Sequence, residues 1–301
     1  ALRFSLWGIG PGDEVLVSDF SWISTSSCIS MVGATPVFCD IGLHSYHISL
    51  DSIKRMTTNK TKALIYTHLY GSMSDTKEIE EWCINNGIRF IEDAAQSLGS
   101  SLNGRKAGTI GECSSYSFNG NKVIAGISGG GMFMTDNKEH ADYVKRVRRH
   151  GKDKDFAELG YNSKMFVTNA DIIQYRLTQM PKWQEKRNQI ASIYAEELKY
   201  DVICQNVPQE LSHNFHKFVI RFEDKEQRKR VKEGLKSIGL NASIHYEKPL
   251  SKNSLYITEH HRKDKCTNSQ IASDTVMSLP IHAWLTEEET GKICNTIMMM
   301  T

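Results

Sequence analysis

Apolar residues along the chain fall into two alternating kinds of run. Short, nearly continuous ones, Glu14-Val15-Leu16-Val17, Thr35-Pro36-Val37-Phe38-Cys39, Ala63-Leu64-Ile65-Tyr66 and Ile88-Arg89-Phe90-Ile91, predict buried strands. Between them, helical spacing over 23–32, 50–56 and 76–86 predicts helices. Leu2, Leu6 and Ile9 are also helically spaced, with no capping Ser, Thr, Asp or Asn before them, so the chain is expected to begin inside a helix that Gly10-Pro11-Gly12-Asp13 ends. This alternation predicts an α/β fold, a mostly parallel sheet flanked by helices, because parallel neighbours need long crossovers. Sites in such sheets gather at the carboxyl ends of strands.

Residues 114–118 and 131–135 continue the strand series across a turn-rich stretch, N-G-N-K-V-I-A-G-I-S-G-G. A long helix over 170–199, interrupted at Pro181, follows. The remainder is less periodic: a strand at 215–222, a helix over 225–238 stopped near Gly239, and a terminal helix over 287–299. The expected division is a large α/β domain over 1–168, a linking helix over 169–200 and a smaller α+β domain over 201–301.

Composition narrows the function classes. Lys and Arg number 37 against 35 Asp and Glu, a net charge of +2, and no long run of like charge suggests a nucleic-acid or membrane-surface footprint. No apolar run reaches the roughly 18 residues of a membrane span, and no charged-then-apolar leader opens the chain, so a cytoplasmic globule is expected. The seven cysteines are scattered, odd in number and without a C-x-x-C pair, as reduced thiols would be. The eleven histidines show no H-E-x-x-H spacing, which leaves a metal-dependent hydrolase without support and no metal expected.

The sharpest local feature is Ile91-Glu92-Asp93-Ala94-Ala95-Gln96, two acids where an apolar strand ends. Alone, Asp93 reads as the cap of a following helix. Further on, Lys122 stands in a strand-turn context, S-F-N-G-N-K, ahead of Gly129-Gly130-Gly131. Beside a sheet end such an amine is partly desolvated, loses its proton more easily and can attack a carbonyl. Chemistry with pyridoxal phosphate needs that amine, plus a carboxylate that keeps the pyridine nitrogen protonated. Lys122 and Asp93 fill the two posts, and Trp22 and Ser117 are available types for an aromatic cover and a phosphate donor.

Together, D-F-S-W-I-S-T, G-A-T-P-V-F-C-D-I, H-L-Y-G, E-D-A-A-Q-S-L-G, S-F-N-G-N-K, G-Y-N-S-K-M, H-Y-E-K-P-L and S-L-P-I-H-A-W-L-T-E-E-E cover essentially the whole chain. In them the chain resembles the DegT/DnrJ/EryC1/StrS family of nucleotide-sugar aminotransferases, which have the fold type I architecture and depend on pyridoxal phosphate. The resemblance implies that Lys122 forms the internal aldimine and shuttles the proton, that Asp93 pairs with the pyridine nitrogen, and that Gln96 hydrogen-bonds the ring's phenolic oxygen. It further implies that Trp22 stacks on the ring and that Ser117 binds the phosphate. Asn162 would reach a phosphate across a homodimer interface, and His245 and Tyr246 would lie near the sugar nucleotide. The wording around Lys122 resembles the subset acting on 4-keto-deoxy sugars, such as makers of perosamine or bacillosamine-type sugars for surface polysaccharides; a dehydratase branch has histidine in that place.

The implied activity moves an amino group from an amino acid, by family expectation glutamate, to a keto-deoxy nucleotide sugar. Two departures stand out. Members usually carry some tens of residues before the point where this chain starts, with a small turn whose N–H groups cradle the cofactor phosphate; an N-terminally truncated member is the expectation. Lys164 also stands where arginine is common, and a lysine offers no planar fork. The alternative is a noncatalytic or cofactor-impaired homologue that keeps the fold and dimer surface.

Overall fold

The structure, a computed structural model, describes residues 1–152 and 158–301. A 3-10 turn, Leu2–Leu6, precedes β1 (Glu14–Ser18), α1 (Ser24–Ser30), β2 (Thr35–Cys39), α2 (Leu50–Met56), β3 (Thr61–Thr67), α3 (Lys77–Asn85) and β4 (Arg89–Asp93). Two short strands, β5 (Ser101–Leu102) and β6 (Arg105–Lys106), lead to β7 (Cys113–Ser117), β8 (Gly131–Thr135) and α4 (Lys138–Val147). After α5 (Val167–Glu197) come β9 (Ile203–Cys204), β10 (Leu211–Ser212), β11 (Phe218–Arg221), α6 (Lys225–Ser237) and α7 (Leu255–Thr258). The chain closes with β12 (Arg262–Lys263), α8 (Thr267–Thr275), β13 (Val276–Leu279) and α9 (Glu287–Met300).

Among the described residues, seven strands form one sheet in the order β12-β2-β1-β3-β4-β7-β8, every pair parallel except β7 with β8. This is the expected mostly parallel α/β sheet. Strands β1 to β4 at its centre carry compact apolar runs because both faces there are covered. Val15, Val17, Ile65 and Ile91 pack on the face of α1 with Cys28 and Ile29. Leu16, Leu64, Tyr66 and Phe90 pack on the opposite face with Ile53 of α2 and Ile79 of α3.

A second, antiparallel sheet, β13-β11-β9, lies under the C-terminal half of α5 with α6 and α9, around Tyr194, Phe218, Ile220, Val231, Leu235 and Ile293. α9 is started by a capping box between Thr286 and Glu289. The C-terminal third also reaches back: β12 extends the first sheet beside β2, and β10 pairs with β5. Phe20, Tyr46, Leu69 and Tyr70 meet Val219, Ala272 and Val276 in a core that ties the two sheets together.

α5 departs from expectation, running unbroken through Pro181. A proline in a helix removes one backbone hydrogen bond and crowds the preceding turn. Here each half is fixed by tertiary packing, Asn169 and Ile173 on one side and Ile190, Ala191 and Tyr194 on the other, so the helix holds across the lost bond. α4 and α8 match no expected element, and the seven cysteines are free thiols.

Candidate active site

β4 ends in Glu92 and Asp93, and the pleat turns them to opposite faces. Asp93 follows Ile91 to the α1 side. There Thr25 donates its hydroxyl to Asp93 Oδ2 at 2.7 Å, and a hydrogen bond of 3.0 Å joins Thr25 to Ser21. Asp93 Oδ1 accepts the Ala95 N–H at 3.2 Å. That bond closes a turn; no helix follows, so Asp93 is not the helix cap that its position alone suggested. Glu92 is fully buried on the other face. It accepts the N–H groups of Gly108, Ile110 and Gly111, each at 2.7 Å, and meets His68 Nε2 at 2.8 Å. Burial alone would raise the Glu92 pKa, but His68 and these N–H donors outweigh it and hold the carboxyl below its ordinary range. Glu92 is therefore committed to the fold. Asp93 retains acceptor capacity, since a carboxylate offers about four lone-pair sites.

Asp93 is in register with Ser115, so the chain leaves β7 close beside it. The loop is pinned by buried Phe118 and Ile124, and the Lys122 N–H closes a turn on the Asn119 carbonyl at 2.9 Å. Half-buried Lys122 lines a cleft of about 470 Å³ together with Arg187, His216, Lys217 and His282. Burial lowers the Lys122 pKa, Asp93 opposes that shift, and Lys217 adds to it. Asp93, far from Lys122 in sequence, thus bears on it through space.

Gln96 is buried and accepts the Tyr70 N–H at Oε1, 2.9 Å, while its Nε2 donates to Tyr246 Oη at 3.0 Å. Trp22 is 57% exposed, with its ring 6.1 Å from that of Tyr246. His245 Nδ1 is 2.9 Å from Ser278 Oγ, and the His245 carbonyl accepts the Tyr70 hydroxyl. Ser117, at the end of β7, accepts the Asn119 N–H at 3.3 Å. Gln96, Tyr246 and Trp22 are thus in direct contact around the end of β4. Asn162 is not part of this group: it is exposed, bridged by its backbone to Arg149, and it does not line the Lys122 cleft. A larger cavity of about 920 Å³ lies next to that segment, lined by Gly129, Gly130, Gly131, Arg148, Lys164 and Phe166 among others.

Several residues around Lys122 and Asp93 carried no sequence signal. Thr25 is hidden in an ordinary S-W-I-S-T run. Asn169 reaches from α5 to the Lys122 loop, accepting the Ile127 N–H at 2.8 Å and donating to the Gly129 carbonyl at 2.7 Å. Arg187, His216 and Lys217 come from distant segments that only the tertiary fold brings to the cleft.

A group of pyridoxal phosphate's chemistry fits the donors present. Gln96 Nε2 has a second N–H beyond the one given to Tyr246, and the Ser117 hydroxyl hydrogen is uncommitted among the described residues. Trp22 offers an open aromatic face, and Lys122 an amine made easier to deprotonate by burial.

Residues 1–298 match the DegT/DnrJ/EryC1/StrS aminotransferase family. The chain is 32% identical to the UDP-N-acetyl-3-dehydro-alpha-D-glucosamine 3-aminotransferase of Acidithiobacillus ferrooxidans, over 96% of this chain and 78% of that protein. It is 31% identical to the GDP-perosamine synthase of Vibrio cholerae, over 98% and 82%. Among solved structures, a DegT DnrJ EryC1 StrS aminotransferase from Brucella abortus superposes with a TM-score of 0.91 at 28% identity, covering 98% of this chain and 81% of that one.

Proposed function

The chain belongs to the DegT/DnrJ/EryC1/StrS aminotransferase family, and from that premise we propose that it moves an amino group from glutamate to the keto group of a nucleotide-linked deoxysugar, working as a cytoplasmic homodimer. That it is a sugar transaminase using pyridoxal phosphate follows from the family. The substrate class rests on relatives whose names specify UDP- and GDP-linked sugars. What supports the reading is a half-buried amine, Lys122, in a cleft whose charge balance the buried carboxylate Asp93 influences, with Asp93 at the carboxyl end of a parallel strand.

When bound, the cofactor supplies an electron-withdrawing ring that stabilises negative charge on the carbon bearing the nitrogen. Lys122 Nζ would hold the cofactor, and its amine is the group that would carry a proton at the reacting carbons. Burial lowers its pKa, so a larger fraction is the neutral base at a given pH. Asp93, whose carboxylate Thr25 holds in direction, would keep a proton at the ring nitrogen. The second N–H of Gln96 orients the ring oxygen, and Trp22 covers one ring face and excludes water. Ser117 donates to the phosphate, and Asn162 of a second copy completes that contact. His245 and Tyr246 border the sugar. The donor leaves as its 2-oxo acid and the sugar gains an amine in place of its oxo group.

Lys122→Ala is expected to abolish both turnover and the visible absorbance band of the bound cofactor; an unchanged spectrum would overturn the assignment. Incubating candidate keto sugars with glutamate and reading the mass change of oxo-to-amine exchange identifies the acceptor.

A further inference from the structure

Beside Lys122 the cleft carries more positive charge than attachment of a cofactor requires. Arg187 of α5 and Lys217, at the entry to β11, both line it. Among the described residues neither has a carboxylate partner: burial alone acts on Arg187, and burial with Arg187 on Lys217. Burial holds Arg187 at about 10 and Lys217 below its ordinary range. Their charge also bears on His216, whose pKa burial, Lys122, Lys217 and Arg187 all push down. Desolvated cations without a counter-ion cost stability, and a bound anion removes that cost.

The Arg187 side chain and the Lys217 backbone are also held in place. Arg187 Nη1 donates to the carbonyls of Phe215 at 2.7 Å and Ile281 at 3.0 Å, which fixes the guanidinium and leaves its other N–H groups without a protein acceptor among the described residues. The Lys217 N–H donates to the Tyr70 carbonyl at 3.1 Å. The turn before it is closed by Asn214 Oδ1, which accepts the His216 N–H at 2.8 Å. Asn214 Nδ2 also donates to the carbonyls of Gln96 at 2.9 Å and Leu98 at 3.0 Å. One buried amide thus sets Lys217 in a fixed relation to Gln96. Lys217 bears on Lys122 and Arg187 on Lys217, and all three line the same cleft.

Building on the transaminase reading above, we propose that Lys217 and Arg187 form the carboxylate subsite for the amino-acid donor, Lys217 taking the α-carboxylate and Arg187 the distal carboxylate of a dicarboxylic donor. The α-carboxylate is attached to the same carbon as the nitrogen being transferred, so its cation must stand next to Lys122. A nucleotide sugar's diphosphate is separated from a ring keto carbon by the sugar and suits that position less well. Lys217 is a specificity-determining residue on this assignment and takes no part in proton transfer.

The test titrates the holoenzyme calorimetrically with glutarate, an unreactive dicarboxylate, and with UDP and GDP. Lys217→Met is expected to weaken glutarate roughly tenfold or more, and Lys217→Arg to restore most of it. In the half-reaction with L-glutamate, followed by cofactor absorbance, Lys217→Met raises KM with little change in kcat. Arg187→Met should erase the preference for glutarate over propionate. Unchanged glutarate binding in Lys217→Met overturns the proposal, as does loss confined to UDP and GDP, which would make the diphosphate the anion. Were the wild type to take up no cofactor, the reading of Lys122 would fall, yet the glutarate titration of that same protein would still decide the subsite.

Discussion

Replacing Glu92 by Gln and Asp93 by Asn should separate stability from activity across a single peptide bond. Glu92 is sealed in by three N–H donors and His68, so Glu92→Gln leaves donors facing each other and is expected to cost about 2–4 kcal/mol in chemical denaturation. Asp93→Asn keeps the size of the side chain and an acceptor for Thr25, and should change stability little. Its kcat should fall on the order of a hundredfold or more, because an amide cannot hold a proton at the ring nitrogen. Equal losses of stability in the two variants would refute the division. The sequence shows two acids at a strand end, and strand alternation implies opposite faces for them. Which face carries the site is decided by α1 and the loop over 108–111, and that choice has no local signature.

At the scale of elements, the loop joining β7 to β8 carries Lys122 and α5 holds it. Asn169 accepts from Ile127 and donates to Gly129, and Arg176 donates to the Ala125 carbonyl. The fit is close enough that a Cβ on Gly126 would stand 2.4 Å from Asn169 Oδ1 and 2.5 Å from the Gly129 carbonyl oxygen. Asn169→Ala should therefore lower kcat roughly tenfold or more while costing only about 1–3 kcal/mol of stability, since it frees the loop without opening a core. Hydrogen exchange at Ile127 and Gly129 should quicken in the same variant; unchanged exchange there would show that α5 does not restrain the loop. Strands β1 to β4 were legible because each is a compact apolar run. β12 and β10 were not, being two residues long and defined by partners far along the chain. The uninterrupted α5 was misread because proline's local penalty was weighed without the packing that holds both halves of the helix.

At the scale of the whole molecule, acid stability should be set by histidines buried in the neutral form. Burial pushes His47 and His213 down to about 3 and His216 well below its ordinary value. Unfolded, each takes up a proton below about pH 6.5; folded, it does not until far lower, so the unfolded state binds more protons and stability falls as pH drops through this window. Each contributes at most about 1.4 kcal/mol per pH unit below pH 6; His245, pushed down to about 4, adds to the slope, and Asp19, raised to about 6 by burial, opposes it. Glu92, held below its ordinary range, adds to the loss only at still lower pH, where carboxylates protonate. The histidines are spread across the fold: His47 bonds Ser74 at 2.5 Å beside the large sheet, while His213 and His216 lie in the segment that enters β11. The core shared by Phe20, Tyr46, Tyr70 and Val219 couples these regions, so urea unfolding should remain a single transition whose midpoint slides down between pH 6.5 and 5. His213→Gln tests the cause. His213 Nδ1 accepts the Phe215 N–H at 2.8 Å, an acceptor role that a glutamine carbonyl can take without titrating, so the variant should keep its stability at pH 7 and lose up to about 1.4 kcal/mol per pH unit of the acid slope. A wild-type midpoint that stays flat from pH 6.5 to 5, or a slope untouched in the variant, would place the acid sensitivity elsewhere in the molecule.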